Sequence, residues 1–315
     1  MSFGHKISEA INLSYLLTIF LQHDYKIDMK RILICLIAVF SLSVYGSCNK
    51  TADKASPGAL TVVVSIFPIY DIARNICGDK ATVFFTIPAG ADPHTFEPRP
   101  SIARDLQNTS LFIGVTGDFD GWMERYLPAA AVRKYLMEAP TPGKLQPNPH
   151  IWLSVREVKK IAGSVERYMS AIDPGNSGYY RKNLDAYVEK LNELDKTITG
   201  MFRNKSNRSF IQWHEAWNYF AADYGLTITG TVQPEGSDRS SVRSIKEIVE
   251  KARRDHVTAI VVSLNSEKNI ARVLAGEIKG TIVELDGIGD PDSPERSDCL
   301  KLLYYNAKTL ADALQ

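Results

Sequence analysis

The sequence predicts an α/β fold: two four-stranded parallel-sheet lobes joined by one long rigid helix. Three observations carry that prediction. Short apolar runs rich in β-branched residues alternate along the chain with helical patterns, which indicates parallel sheets covered on both faces. The runs fall into two sets of four, separated by a long helical period with no internal proline. The chain has 315 residues, 44% of them hydrophobic and 23% charged, so it exceeds one average domain and can bury a sizeable core.

The elements follow in chain order. From Met29 the sequence runs "MKRILICLIAVFSLSVYGSC", with Lys30 and Arg31 ahead of an apolar stretch from Ile32 to Val44. That stretch is shorter than the roughly 20 residues a spanning helix needs, and it fits an export signal. A buried helix is the competing interpretation, and the abrupt change to "NKTADKASPG" argues against it. Small residues Gly46 and Ser47 precede Cys48, and the pattern resembles a bacterial lipoprotein signal, although Tyr45 is an unusual residue for such a site. On this resemblance Cys48 is lipidated and begins the mature chain. The signal then covers 29–47 and a polar tether 48–58. Residues 1–28 precede the charged region and are expected to be a mis-assigned upstream segment, with a short amphipathic helix around "LSYLLTIFL" as the alternative.

The first lobe, 59–173, holds expected strands at 60–66, 81–87, 110–115 and 132–137. The connector, 174–205, places Tyr180, Leu184, Tyr187, Val188, Leu191, Leu194 and Ile198 at steps of three and four, one amphipathic helix. A single stiff connector predicts limited relative motion of the lobes. The second lobe, 206–315, holds expected strands at 208–213, 226–232, 257–263 and 280–286. Ser240 or Ser241 is the expected N-cap of the helix over 240–254.

Charge excludes one class of partner. Lys plus Arg number 37 and Asp plus Glu 36, a net charge of +1, and no basic tract interleaved with aromatics occurs, so no nucleic acid is expected. Of four cysteines, Cys35 and Cys48 lie in the signal; Cys77 and Cys299 have no C-x-x-C partner and read as buried thiols.

Four residues stand where open α/β sheets place ligands, beyond the carboxyl ends of strands. His94 lies in "ADPHTFEP" after the second strand, its loop stiffened by Pro93 and Pro98. His150, in "NPHIWL", follows the fourth; His214, in "QWHEAWNYF", ends the fifth; Asp286, in "VELDG", ends the eighth. Each lobe supplies two, so they would meet across an interdomain cleft, and three imidazoles with one carboxylate suit tetrahedral Zn²⁺. The non-local spacing makes ligand counting alone a weak signal. Glu215 after His214 suggests a metalloprotease, but Asn218 stands where H-E-x-x-H requires its second histidine. His256 reads as a solvated helix end, and His5 and His23 precede Met29.

The segments "ADPHTFEPRPS", "NPHIWL" and "WHEAWNYFAADYGL" resemble the three histidine motifs of the zinc and manganese solute-binding proteins of bacterial ABC importers, and "GVTGDFDGWMERYL" resembles the segment after that family's third strand. The likeness covers about residues 60–315. It implies two α/β lobes joined by a long helix, the metal in the cleft, and His94, His150, His214 and Asp286 as ligands. It also implies a monomeric, non-enzymatic lipoprotein, outside the cytoplasm as a membrane-anchored or periplasmic protein, that serves an ABC-transporter permease. Three departures from the family pattern concern the surroundings of the ligands. Asn148 replaces a frequent Asp, Ser154-Val155 replaces a frequent Asp-Pro, and the stretch "EAPTPGKLQPNP" has no histidine-rich loop. His214, where manganese members tend to carry glutamate, favours Zn²⁺; Mn²⁺ or Fe²⁺ is the alternative. A secreted zinc hydrolase and a surface adhesin are the rival classes; a hydrolase needs an open coordination position and a general base. Unperturbed imidazoles titrate near about 6.5, so metal affinity is expected to fall as the pH drops through that value.

Intact mass spectrometry of membrane-extracted protein tests the processing. The expected mature N-terminus is a lipid-modified Cys48, and Cys48→Ser is expected to release the protein from the membrane with metal binding intact. An unmodified N-terminus at Ser2 or Met29 would refute it.

Overall fold

A computed structural model describes residues 60–138, 148–234, 241–264, 266 and 268–314. The signal, the tether, Cys48, His5 and His23 lie outside the described residues. Eight strands form two four-stranded parallel sheets. In the first, β1 (Leu60–Val64), β2 (Ala81–Phe85), β3 (Leu111–Gly114) and β4 (Val132–Tyr135) pair in the order β2-β1-β3-β4. In the second, β5 (Ser209–His214), β6 (Thr227–Gln233), β7 (Ala259–Ser263) and β8 (Thr281–Leu285) pair in the order β6-β5-β7-β8. Each sheet therefore reverses its winding beside its first strand, and such switch points open a crevice at the carboxyl ends.

The described helices are α1 (Phe67–Cys77), α2 (Ile102–Asp105), α3 (Gly117–Asp120), α4 (Val155–Ile172), α5 (Ser177–Phe202), α6 (Asn218–Tyr224), α7 (Val242–Arg254), α8 (Asn269–Ile278) and α9 (Cys299–Ala313). Side-chain caps explain several starts. Ser154 accepts from Glu157 N at α4, Ser241 from Ser244 N at α7, and Asp298 from Lys301 N at α9. Gly225, at φ 63, ends α6 in the left-handed conformation that glycine adopts without steric cost.

Helix α5 is the spine. Its 26 residues would span about 39 Å at 1.5 Å per residue. Its apolar stripe, Tyr180, Leu184, Tyr187, Leu191, Leu194, Ile198 and Phe202, is buried. One contiguous apolar cluster joins this stripe to Val62 and Val64 of β1, Phe210 of β5, Leu285 of β8 and Leu303 of α9. The lobes thus share a core, so one helix is enough to connect them stiffly. Further ties cross between them: Trp152 Nε1 donates to the Gly287 carbonyl at 2.6 Å, and Asp71 accepts from Cys299 N at 3.0 Å. Cys77 and Cys299 are free and buried, and burial pushes the Cys77 thiol up to about 12.

Asp120, fully buried, ties β1 to the end of β3. It accepts from Ser65 Oγ at 2.7 Å and from Val115 N at 2.8 Å. Burial raises its pKa to about 7, against the opposing pull of those hydrogen bonds. A carboxyl raised above its unfolded value of 3.8 binds a proton first in the folded state, so folding is favoured as the pH falls through about 7. For one such group the gain between pH 8 and pH 6 is about 1.4 kcal/mol. Asp120→Asn is expected to remove that gain, because the Ser65 hydroxyl can turn to accept from the amide. Thermal melting of the metal-free protein at both pH values checks this; an unchanged difference in the variant would exclude Asp120 as its source.

Candidate metal centre

His214 is the last residue of β5, and His150 precedes a short 3-10 turn, Ile151–Leu153, that leads into α4. His94 sits in a turn closed by Asp92, which accepts from His94 N at 3.0 Å and from Thr95 Oγ1 at 3.3 Å. The prolines stiffen this loop, and Asp92 supplies the closing acceptor. His150 Nε2 lies 3.4 Å from His94 Nε2 and 3.1 Å from His214 Nε2. Among the described residues these three form the group whose ligand atoms all lie within 4.8 Å of one another. Two come from the first lobe and one from the second, at the wall of a cleft of about 630 Å³.

Asp286 lines the same cleft but does not join the converging atoms. Its Oδ1 accepts from Ile288 N and Gly289 N, each at 3.0 Å, and its Oδ2 accepts from Arg296 Nη1 at 2.7 Å. Asn306 brackets its backbone, accepting from Asp286 N at 2.8 Å and donating to Asp286 O at 2.7 Å. Both carboxylate oxygens are thus held by groups of its own lobe. His256 is exposed at the end of α7 with φ 52, away from the cluster.

Aromatic rings surround the imidazoles. Phe119 meets His94 edge-on with ring centres 5.4 Å apart, and Trp152 lies 5.2 Å from His150. This apolar setting has an electrostatic result. Burial, with the neighbouring His94, lowers the His214 pKa to about 4. Burial first, then His214 and His94, hold His150 well below the usual imidazole range. Two of the three imidazoles therefore stay uncharged in mild acid, below the range in which an unperturbed histidine takes up its proton. The reason is burial, which the sequence did not reveal at these loops.

Asn148 holds His150. Its Oδ1 accepts from His150 N at 2.9 Å and faces His150 Nδ1 at 2.8 Å, while its Nδ2 donates to the Glu215 carbonyl of the other lobe at 2.6 Å. Glu215 itself accepts through Oε1 from Asn218 Nδ2 at 3.0 Å.

Imidazoles gathered from two lobes thus present converging nitrogen donors, the ligand type that divalent transition metals such as Zn²⁺ accept. The family model described as "Zinc-uptake complex component A periplasmic" matches residues 62–313. The chain belongs to this family. Among curated relatives, "Zinc-binding lipoprotein AdcA" of Streptococcus pneumoniae is 24% identical over 306 residues, covering 90% of this chain and 60% of its own length. The chain thus spans about three-fifths of that relative. "High-affinity zinc uptake system protein ZnuA" of Bacillus subtilis is 26% identical, covering 86% of this chain and 91% of its own. Of solved structures, a zinc-bound ZnuA deletion mutant superposes with TM-score 0.71 at 26% identity, covering 81% of this chain and 98% of its own. A periplasmic metal-binding protein of Candidatus Liberibacter asiaticus, at 20% identity and TM-score 0.72, covers 81% of this chain and 99% of its own. It shares the fold.

Sequence reasoning passed over Arg296, ten residues beyond Asp286 in an irregular loop with no period to mark it. Phe119 was visible only as an apolar residue of the segment after β3, whereas Trp152, two residues from His150, was open to packing on it from the sequence, as it does. Histidine NMR titration of the metal-free protein is expected to show His214 titrating near 4 and His150 well below the usual imidazole range. A midpoint near 6.5 at either would mean that the cleft is wet.

Proposed function

We propose that this chain is the extracytoplasmic solute-binding lipoprotein of an ABC importer, capturing zinc in the cleft and delivering it to a membrane permease. One observation carries the reading: three imidazole nitrogens from two lobes converge within 4.8 Å in a protein of the zinc-uptake family. His94, His150 and His214 hold the metal. The domain scheme follows, with an anchor at Cys48, a first lobe over 59–173, a connector over 174–205 and a second lobe over 206–315.

Zinc is favoured over manganese or ferrous iron because the converging donors are all nitrogen, whereas Mn²⁺ prefers oxygen. Asp286 is the fourth ligand, and it must exchange Arg296 for the metal, so it contributes less than any histidine. Binding without catalysis is supported by the state of the nearby carboxylates. Asp286 is bound by Arg296 and Glu215 by Asn218, which leaves neither poised as a general base beside the metal. The chain acts as a monomer, with both lobes of one molecule completing the site.

Competition titration is expected to show Zn²⁺ displacing Mn²⁺ at equilibrium. His94→Ala, His150→Ala and His214→Ala should each weaken zinc binding by more than the roughly 10–100-fold that loss of an outer-sphere partner costs. Asp286→Asn should fall within that range. Zinc at a thousandfold excess over Kd should stabilise the wild type by about 4 kcal/mol in thermal melting, and His94→Ala and His214→Ala should each abolish most of this. Tighter Mn²⁺ than Zn²⁺ binding would overturn the metal assignment. Stabilisation that survives either substitution would place the metal within one lobe.

A further inference from the structure

Asn148 makes two contacts that together leave its amide one orientation. The Glu215 carbonyl can only accept, so the group 2.6 Å from it is the NH₂ of Asn148. The oxygen then faces His150, where it accepts from the backbone N–H at 2.9 Å. The remaining neighbour, His150 Nδ1 at 2.8 Å, must carry the ring proton, since the oxygen it meets has none to give. That leaves Nε2 of His150 bare, and Nε2 is the atom that faces His94 and His214. The tautomer of one imidazole is thus held by an amide pinned at both ends, by the backbone N–H of His150 itself and by a carbonyl on the opposite lobe. Tyr219 Oη of α6 adds a second tie, donating to the Asn148 carbonyl at 3.0 Å.

We propose that Asn148 is a positioning residue that couples the ligand tautomer of His150 to contact between the lobes, so that parting them at Glu215 unlocks the imidazole and hastens metal release. The proposal rests on the zinc-binding reading of the site. Aspartate would accept from Nδ1–H equally well, yet it has no proton for Glu215 and would set a carboxylate against a carbonyl. Asparagine alone of the two can serve both lobes. When the lobes separate, the amide loses its donor contact and only the His150 backbone N–H still holds its oxygen near the ring, so the side chain gains freedom and the Nε2–H tautomer, which cannot ligate through Nε2, becomes more accessible.

The test uses the full mature chain. Nitrogen-15 NMR of labelled histidine in the metal-free wild type should show the Nδ1–H tautomer at His150. Asn148→Asp should keep that tautomer but release zinc to a chelator roughly 10–100-fold faster in stopped flow. Asn148→Ala, lacking both contacts, should also lose the tautomer preference. Tyr219→Phe, which loosens the same interface with the Asn148 side chain intact, should keep the tautomer and accelerate release less than Asn148→Asp. The proposal is overturned by an Nε2–H tautomer in the wild type, by wild-type release from Asn148→Asp, or by Tyr219→Phe matching it. A wild type that binds no zinc would sink the functional reading alone, since the metal-free tautomer of wild type and Asn148→Ala would still decide the positioning role.

Discussion

One imidazole nitrogen, on His150, brought within hydrogen-bond reach of two others from segments of two separate lobes, sets the accuracy that the rest of the fold must meet. A separation of 3.1 to 3.4 Å between ring nitrogens tolerates little drift between lobes. It also disfavours two adjacent charges, which is one reason His150 and His214 resist protonation; burial is the larger one. Under the proposed reading the same crowding suits a divalent cation, whose charge takes the place of the protons that two of the rings resist.

What supplies the accuracy is a core common to both lobes. The stripe of α5 from Tyr180 to Phe202 contacts apolar side chains from both sheets in one cluster. Burying a large side chain contributes about 1.5–3 kcal/mol, and seven such residues lie along this helix. Hydrogen bonds such as Trp152 to Gly287 and Ser154 to Asp223 then fix rotation about that spine. Each is worth only about 0.5–1.5 kcal/mol net, so their role is orientation more than cohesion.

The architecture was legible because it rests on pattern. Eight apolar runs became eight strands, shortened or shifted by one or two residues at their ends where pairing stops, and the period of three and four became α5. His94, His150 and His214 were legible because strand-end loops are where such folds bind ligands, and the sequence offered few other histidines. Asp286 was read from the same logic, which locates a side chain but not its partners: Arg296 approaches through tertiary folding of the loop after β8. The depth of burial at His150 was equally hidden. Asn148 is the instructive case, since by sequence it was merely a departure from a common aspartate, and only the position of the Glu215 carbonyl gives the amide its purpose.

If the chain is the metal carrier proposed above, these magnitudes decide how its cargo leaves. Separating the lobes along α5 would expose the shared apolar cluster, a cost far above thermal energy for a carrier that must cycle. Parting them at the cleft breaks the Trp152–Gly287, Asn148–Glu215 and Tyr219–Asn148 contacts, together a few kcal/mol at about 0.5–1.5 each. A docked partner could supply that much from a modest interface. Movement at the cleft also acts on the ligands directly, because His214 departs with one lobe while His94 and His150 stay with the other. Opening there need not disturb the core that restores the geometry afterwards, so a stiff connector and a releasable site are compatible in one chain.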